Sequence, residues 1–248
     1  MSPSIVVFAD AEVGFCCTQW LIDNYKSDLT MVVTTSQNQI FDLAKNNGVS
    51  SHVFQDDISY LRSFNVEETL CDIGLLLWWP SIISPSIINS ARHGFVNTHP
   101  SFLPFNRGKN YNFWALVEEC TFGVSIHTVE EGIDCGDIIS QKKINYTWED
   151  TGETLYFKAI AGMKELVFDT YPLLRQLRFP RKKQDLSKGS FHFSSELEPA
   201  SIIALDQPTT PRQLFNVLRA RTFQGYPACR FLDNGVEYEV RIDITERE

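Results

Sequence analysis

The sequence predicts an α/β fold with a parallel sheet, followed by a small tail that contains a β-hairpin. Short β-branched or apolar runs alternate with segments of helical spacing, and an Asp-Asn-Gly turn separates two alternating runs near the carboxyl end. Strands that alternate with helices are joined by right-handed crossovers, which makes neighbouring strands parallel. With 248 residues, the chain can form one large domain, or one domain with a small appendage.

The first strands are short and apolar. Residues 4–8 and Leu29–Thr34 predict the first two strands, and residues 13–25 between them have helical spacing. Residues 53–54 predict a short third strand. Residues 72–79 predict a fourth, whose continuous apolar run is typical of a strand covered on both faces.

The middle of the chain brings polar side chains to a strand end. Residues 94–97 predict a brief strand that delivers Asn97 and His99 to its carboxyl end, where ligands bind in open α/β sheets. Asp150, with Glu153 three residues later, marks the start of a helix that runs toward Leu177, with a break before Pro172. The other predicted elements are a helix over 110–119 and strands over 123–130 and 137–144.

Composition changes at 180–185, which is polar, so residues 1–180 are predicted to form the main domain and 181–248 a small C-terminal region. A tail of about 70 residues is at the low end of what folds alone, so we expect it to pack on the main domain or on a second subunit. Residues 189–193 predict a short strand and 214–219 a short helix. Asn234-Gly235 lies between two alternating runs, which predicts a hairpin with a type I′ turn.

Charge and cysteine usage limit the classes of function. A formal charge of −9 argues against nucleic acid as a partner, because nucleic-acid surfaces are usually basic. The six cysteines contain no C-x-x-C pair, which argues against zinc and disulfides and favours a reducing cytoplasm. From the cysteine spacing we expect no metal site. No apolar stretch approaches the length of a membrane span, so we expect no membrane association and a cytoplasmic location.

Two short motifs together indicate acyl transfer to nitrogen. In Asn97-Thr98-His99, the amide can donate to a developing oxyanion, worth about 3 kcal/mol, and the imidazole can accept an amine proton. Alone, His99 is more typical of a loop histidine bonded to backbone. Asp134 and Asp137 flank Gly136 in what is also a common turn, and one carboxylate can stabilise the charged imidazole. For His127 we expect a structural or supporting role.

Two further segments have two interpretations each. Arg107, Lys109 and Tyr111 form either a solvated charged turn or a phosphate cradle before a helix. Phe223 and Tyr226 belong either to a loop packed on the hairpin or to an aromatic platform that stacks a nucleobase, with Arg219 and Arg221 meeting its phosphates.

Trp78-Trp79-Pro80 ends the fourth strand. Adjacent indoles point to opposite faces, so at least one belongs to the core, and backbone groups where the strand ends can bind a flat heterocycle. The chain has no G-x-G-x-x-G after its first strand, no P-loop, no H-E-x-x-H and no G-x-S-x-G. These absences argue against dinucleotide redox, NTP hydrolysis and α/β-hydrolase chemistry.

Residues 94–141 resemble the formyltransferase core shared by glycinamide ribonucleotide and methionyl-tRNA formyltransferases. The wider chain is similar to one branch, the sugar N-formyltransferases that act on nucleotide-linked amino sugars. The segments that resemble the core are Asn97-Thr98-His99-Pro100-Ser101-Phe102-Leu103-Pro104, Arg107-Gly108, Trp114-Ala115, Gly123-Val124-Ser125-Ile126-His127 and Asp134 through Gln141. The segments that resemble the sugar branch are residues 76–80, 106–114, 189–192 and 219–228.

The resemblance implies a Rossmann-like N-terminal domain and N10-formyltetrahydrofolate as the formyl donor. It makes Asn97, His99 and Asp134 the catalytic residues, with Asp134 preferred to Asp137 by motif position. It implies a dTDP-linked 3- or 4-amino dideoxyhexose as acceptor, leaning to C3, for surface polysaccharide such as O-antigen, and a homodimer built with the tail. The folate contacts it implies are Trp78, Trp79, Pro80, Ile133, Asp134, Gly136 and Asp137. The nucleotide contacts expected from local chemistry and motif position are Arg107, Lys109, Tyr111, Phe223 and Tyr226.

Three alternatives remain open. A methionyl-tRNA formyltransferase shares the core, but the charge of −9 and the short tail count against it. A hydrolase that releases formate from the donor needs no nucleotide pocket. A catalytically silent protein that binds folate or a nucleotide sugar is the third, and the intact Asn97, His99 and Asp134 set argues against it.

Overall fold

The computed structural model describes residues 2–62 and 70–247. The chain forms two compact units, and each is assembled from three separate stretches of sequence. The boundary that composition predicts near residue 180 stays a prediction. The first unit contains Met1–His99, Ser125–Gln141 and Met163–Gln184, and the second contains Pro100–Val124, Lys142–Gly162 and Asp185–Glu248.

The strands of the large sheet are β1 (Ile5–Ala9), β2 (Leu29–Thr34), β3 (Ser50–Val53), β4 (Ile73–Leu77), β5 (Phe95–His99), β7 (Gly123–Thr128) and β8 (Ile138–Lys143). They lie in the order β3-β2-β1-β4-β5-β7-β8. Parallel pairs join β3 to β2, β2 to β1, β1 to β4 and β4 to β5, as the alternation of strands and helices predicts.

The pairing of β5 with β7 is antiparallel, with Asn97 opposite His127 and His99 opposite Ser125. The predicted sheet is therefore parallel from β3 through β5 and becomes antiparallel where β5 meets β7. An apolar run has the same composition in either direction, so the residue pattern of β7 could not indicate which way the strand runs.

The core of the first unit lies on both faces of β1, all five of whose residues are fully buried. Ring centroids of Tyr60, Trp79 and Phe95 lie 5.1, 5.1 and 5.7 Å from that of Phe8. Gly74 on β4 makes room for one of these rings, since a Cβ there would lie 2.2 Å from the Phe95 side chain. Glycine at this position is thus required by packing.

Helices begin where the sequence supplies caps. The Asn38 side chain accepts from the backbone N–H groups of Ile40 and Phe41. The break predicted before Pro172 is wrong, because the helix continues to Leu174 and Pro172 interrupts only its last turn. The helices up to this point are α1 (Ala11–Tyr25), α2 (Gln39–Asn46), α3 (Asp57–Arg62), α4 (Pro85–Ile88), α5 (Tyr111–Val117) and α6 (Gly152–Leu174).

The second unit contains two small two-stranded sheets. The hairpin turn has positive φ at both Asn234 (48°) and Gly235 (80°), which a type I′ turn requires, so the predicted hairpin is confirmed. The helix predicted over 214–219 is longer, because Thr210 and Gln213 form a capping box that starts it at Pro211. The elements are β6 (Arg107–Gly108), β9 (Phe191–His192), α7 (Leu197–Ala200), α8 (Pro211–Arg221), β10 (Cys229–Asp233) and β11 (Val236–Val240).

In the described parts of the chain, no helix combines the length and the apolar character needed to cross a membrane.

Candidate functional site

The candidate catalytic cluster lies at the carboxyl end of β5 in the first unit. Asn97 and His99 are two residues apart on this strand, so their side chains point to the same face. His99 is 5% exposed, which places its imidazole among protein groups rather than in bulk solvent. The strand predicted over residues 94–97 ends later in the structure, at His99, so it includes the histidine itself.

Asp134 meets these two residues from the loop that precedes β8. Its Oδ2 lies 3.3 Å from Nδ1 of His99, and its Oδ1 accepts from Nδ2 of Asn97 at 3.4 Å. The structure thus brings together the amide, imidazole and carboxylate that the two motifs supply. The backbone of Asp137 has a different partner: its N–H donates to Oγ1 of Thr128 at 2.8 Å, and its carbonyl accepts from the Thr128 N–H at 2.9 Å.

His127 is a fourth member of the cluster, closer to it than the sequence indicated. Its Nδ1 lies 2.8 Å from the carbonyl oxygen of Thr128, an acceptor, so Nδ1 bears the proton. In the neutral ring Nε2 is then an acceptor, and it lies 3.2 Å from Nδ2 of Asn97 and 3.6 Å from Oδ1 of Asp134. His127 therefore orients the Asn97 amide. The contact between His127 and Asn97 follows from the register of β7 on β5, which a single sequence does not show.

The turn that carries Asp134 has an unusual backbone. Asp134 has a φ of 51°, in the left-handed region, where a non-glycine residue is uncommon and often marks a functional position. Gly136 is required two residues later, because a Cβ there would lie 1.8 Å from the carbonyl oxygen of Thr128. Local backbone geometry, and not an extended loop, thus aims the carboxylate.

The segment Trp78-Trp79-Pro80 follows β4 in the same unit. The Trp78 N–H donates to Oγ1 of Thr98 at 2.9 Å, which joins the end of β4 to β5. The Trp79 indole packs against Phe8 and also Phe54, so it is the core member that the prediction required. Within residues 2–62 and 70–247, the Trp79 Nε1 has no hydrogen-bond partner.

The predicted phosphate-binding residues lie in the second unit. Arg107 has its guanidinium 5.8 Å from the centroid of the Phe191 ring, and the Lys109 N–H donates to the His192 carbonyl at 3.0 Å. The Lys109 side chain is exposed. Burial, and secondly the charge of Tyr156, raises the pKa of Tyr111 well above its usual range, so its hydroxyl stays protonated.

The predicted aromatic platform also lies in the second unit. Ring centroids of Phe223 and Tyr226 are 4.8 Å apart, Tyr156 lies 5.6 Å from Phe223, and Tyr226 is 60% exposed. The neighbouring cations are engaged by protein groups. Arg219 is 3% exposed and donates to the Thr147 carbonyl at 2.7 Å, and Arg221 pairs with the Glu198 carboxylate. The interpretation in which these two cations meet a ligand's phosphates therefore has little support from their contacts.

Comparison with known proteins gives matches over most of the chain. The model of the family described as formyl transferase matches residues 24–167. A second model, described as the N-formyltransferase dimerization C-terminal domain, matches residues 196–246.

A methionyl-tRNA formyltransferase of Agathobacter rectalis is 33% identical over 119 residues, which are 48% of this chain and 37% of that protein. The chain therefore matches little more than a third of that relative's length.

Solved structures are similar over nearly the whole chain. A 4-N formyltransferase from Francisella tularensis superposes with a TM-score of 0.81 at 22% identity, covering 99% of both chains. An N-formyltransferase from Helicobacter canadensis, in complex with folinic acid and dTDP-3-aminofucose, has a TM-score of 0.74 at 17% identity, covering 94% of this chain and 84% of that one. These likenesses show a common fold. Because the formyl transferase model also covers more than half of the sequence, the protein belongs to the formyl transferase family.

Proposed function

We propose that this protein transfers a formyl group from N10-formyltetrahydrofolate to the amine of a dTDP-linked 3-amino or 4-amino dideoxyhexose, for surface polysaccharide such as O-antigen. The observation that carries the proposal is the cluster of Asn97, His99 and Asp134, with the imidazole 3.3 Å from the carboxylate. An amide, a proton carrier and an orienting carboxylate are what formyl transfer to an amine needs.

The residues proposed to hold the donor fit a flat, partly apolar heterocycle. The Trp79 Nε1 is buried without a partner in the described part of the chain, and Ile133 is 39% exposed. The other proposed donor contacts are Trp78, Pro80, Asp134, Gly136 and Asp137, of which the Asp134 carboxylate can accept hydrogen bonds from the heterocycle. When bound, the donor supplies an activated formyl carbon and a nitrogen leaving group.

The residues of the cluster have distinct roles in the proposed transfer. As the sugar nitrogen bonds to the formyl carbon, negative charge develops on the formyl oxygen, and the Asn97 amide donates to it. His99 accepts the excess proton of the amine and passes it to the departing nitrogen, so the transfer is neutral in protons. Asp134 stabilises the imidazolium that forms between these two steps. His127 keeps the Asn97 amide turned so that its N–H groups face the cluster.

Residues of the second unit and the descriptions of similar structures support a nucleotide-linked amino sugar as the formyl acceptor. Phe223 packs against both Tyr226 and Tyr156, which offers a base an aromatic surface, while Arg107 offers a cation for phosphate. Tyr111 is near enough to Tyr156 to interact with it electrostatically. Of the similar structures, one is described as a 4-N formyltransferase and another contains dTDP-3-aminofucose. These descriptions support a nucleotide-linked amino sugar and are compatible with either position of the amine.

A spectrophotometric assay of tetrahydrofolate release tests the proposal, with dTDP-3-amino, dTDP-4-amino, UDP-linked and GDP-linked amino sugars offered in parallel. We expect release that depends on one dTDP-amino sugar, with the formamide confirmed by mass spectrometry. Release without any sugar would indicate a formate-releasing hydrolase. Transfer only to methionyl-tRNA would replace the proposal with that activity, and tight binding of both ligands without transfer would indicate a silent binder.

We also propose that the protein is a homodimer formed through one face of its hairpin. The face shared by Phe231, Val236 and Tyr238 is apolar, with ring centroids of Phe231 and Tyr238 5.2 Å apart and Tyr238 46% exposed. An isolated two-stranded hairpin is marginally stable, so a partner surface would stabilise it. The match to a dimerization domain over residues 196–246 supports this assembly.

Light scattering coupled to size exclusion tests the dimer. Tyr238→Glu places a charge on the apolar face, and we expect a monomer. Leu232→Glu, on the opposite face and 65% exposed, is the matched control and should leave the dimer intact. A dimeric Tyr238→Glu variant, or a monomeric wild-type protein, would overturn the assignment of this face.

A further inference from the structure

Gln184 contacts the turn that carries Asp134 from outside the catalytic cluster. It follows α6 in the polar stretch of residues 180–185, where composition indicates only a boundary between parts of the chain. Yet its side chain is 8% exposed, which is rare for a glutamine in a connecting segment. Burying an amide costs free energy unless the amide is hydrogen-bonded, so the partners of this side chain are informative.

Both N–H groups of the Gln184 amide are used on this turn. Nε2 donates to the carbonyl oxygen of Asp134 at 3.0 Å and to that of Gly136 at 2.6 Å. One side chain thus joins two carbonyls on either side of Cys135. Its Oε1 is buried and has no partner among residues 2–62 and 70–247, so the donor end provides the hydrogen bonds that hold this side chain in place.

The turn is held from two directions. On one side, Thr128 bonds the backbone of Asp137 through its hydroxyl and through its own backbone. On the other, Gln184 bonds the carbonyls of Asp134 and Gly136, and paired backbone bonds between Ile138 and Lys182 at 2.8 and 2.9 Å anchor its segment. Asp134 lies between these supports with its φ of 51°, a backbone conformation that is uncommon for a residue other than glycine.

We propose that Gln184 is a positioning residue that holds Asp134 in the left-handed conformation which aims its carboxylate at His99. This inference rests on the proposed function for its catalytic consequence, but its structural part does not. Loss of the two donors removes both of these hydrogen bonds to the turn and lets residue 134 relax toward ordinary backbone angles. A displacement of about 1 Å at a catalytic group can cost about 100-fold in rate.

The first test does not depend on activity. Hydrogen–deuterium exchange is followed in a peptide spanning residues 129–140 in Gln184→Met, with Gln176→Met as matched control. Gln176 also donates to a backbone carbonyl, that of Pro172 at 3.2 Å, but at an exposed position just after the end of α6. We expect at least tenfold faster exchange of this peptide in Gln184→Met, and wild-type exchange in Gln176→Met. Equal exchange in wild type and Gln184→Met would overturn the proposal even if the protein proved to have another activity.

The second test separates positioning from a general structural role. Gln184→Met is expected to lower kcat about 10- to 100-fold with the KM of the amino sugar within about twofold. In an Asp134→Asn background the same change should lower kcat less than about twofold, because the carboxylate it positions is already gone. An equal loss in both backgrounds would overturn positioning. Should Gln184→Met not fold, Gln184→Asn, whose shorter amide cannot reach both carbonyls, is measured by the same two criteria.

Discussion

Nε2 of His127 lies 3.2 Å from the amide nitrogen of Asn97, directly across the antiparallel pair of β5 and β7. Because Nδ1 of His127 donates to the Thr128 carbonyl, the ring presents an acceptor to Asn97 and holds the amide in one of its two orientations. The orientation of this amide decides whether a carbonyl oxygen in the site meets a donor or another acceptor.

We expect His127→Phe to lower kcat about tenfold, because the ring fills the same space but no longer orients the Asn97 amide. His93→Phe, which replaces an exposed histidine in the same unit, is the control and should be silent. Steady-state kinetics with both substrates gives the comparison. Unchanged kcat in His127→Phe would mean that Asn97 needs no help from this residue.

Asn97→Ala removes the proposed donor to the formyl oxygen. We expect kcat to fall about 100- to 1,000-fold, with the KM of the amino sugar little changed, because the bond is made mainly as negative charge develops. Asn89→Ala, at an exposed position after α4, should behave as wild type. A rise in KM with normal kcat would assign Asn97 to substrate binding instead.

The choice of Asp134 over Asp137 is tested by a matched pair of substitutions. Asp134→Asn removes the carboxylate 3.3 Å from His99 and should lower kcat about 100-fold or more. Asp137→Asn keeps the backbone bonds to Thr128 and should retain kcat within about threefold. The reverse order of effects would transfer the catalytic role to Asp137.

The two tryptophans after β4 are expected to differ in what they contribute. Trp79→Ala leaves a cavity beside Phe8 and Phe54, so the free energy of unfolding in urea should fall by about 3 kcal/mol. Trp78→Ala should lower stability less and mainly raise the KM of the donor. Equal losses of stability in the two variants would contradict the separate roles.

The pH dependence of stability is tested at Asp150, which lies before α6. Burial opposes ionisation, but hydrogen bonds from Lys158, Thr147 and Thr154 outweigh it and lower the pKa of the carboxyl below its usual range. A lowered folded-state pKa stabilises the fold above the unfolded-state pKa, and the stabilisation is lost as pH falls through the folded value.

Asp150→Asn should therefore lower the Tm at pH near 7, and the difference from wild type should shrink as pH falls toward about 3. Calorimetry across this range measures it. Asp169→Asn, at an exposed position of α6, is the control and should follow the wild-type curve throughout. A difference that stays constant with pH would show that the ionised carboxyl is not what stabilises this end of the helix.

Local chemistry allowed much of the fold to be predicted from the sequence. The second strand has its predicted bounds, since four of its six residues are β-branched. The hairpin turn follows from two adjacent residues that tolerate positive φ. Asn97, His99 and one of two aspartates could be named because their motifs combine residue types that acyl transfer needs, and the resemblance to the family favoured Asp134 over Asp137.

Tertiary structure decided the features that join residues distant in sequence. The direction of β7, and with it the contact of His127 with Asn97, depends on strand pairing, which leaves no mark on the residues of either strand alone. The contact of Gln184 with the turn at Asp134 spans 50 residues. The sequence thus determined which side chains are available for the proposed chemistry, while packing of segments far apart in the chain decided how they are aimed, because a hydrogen bond depends on direction as well as on residue type.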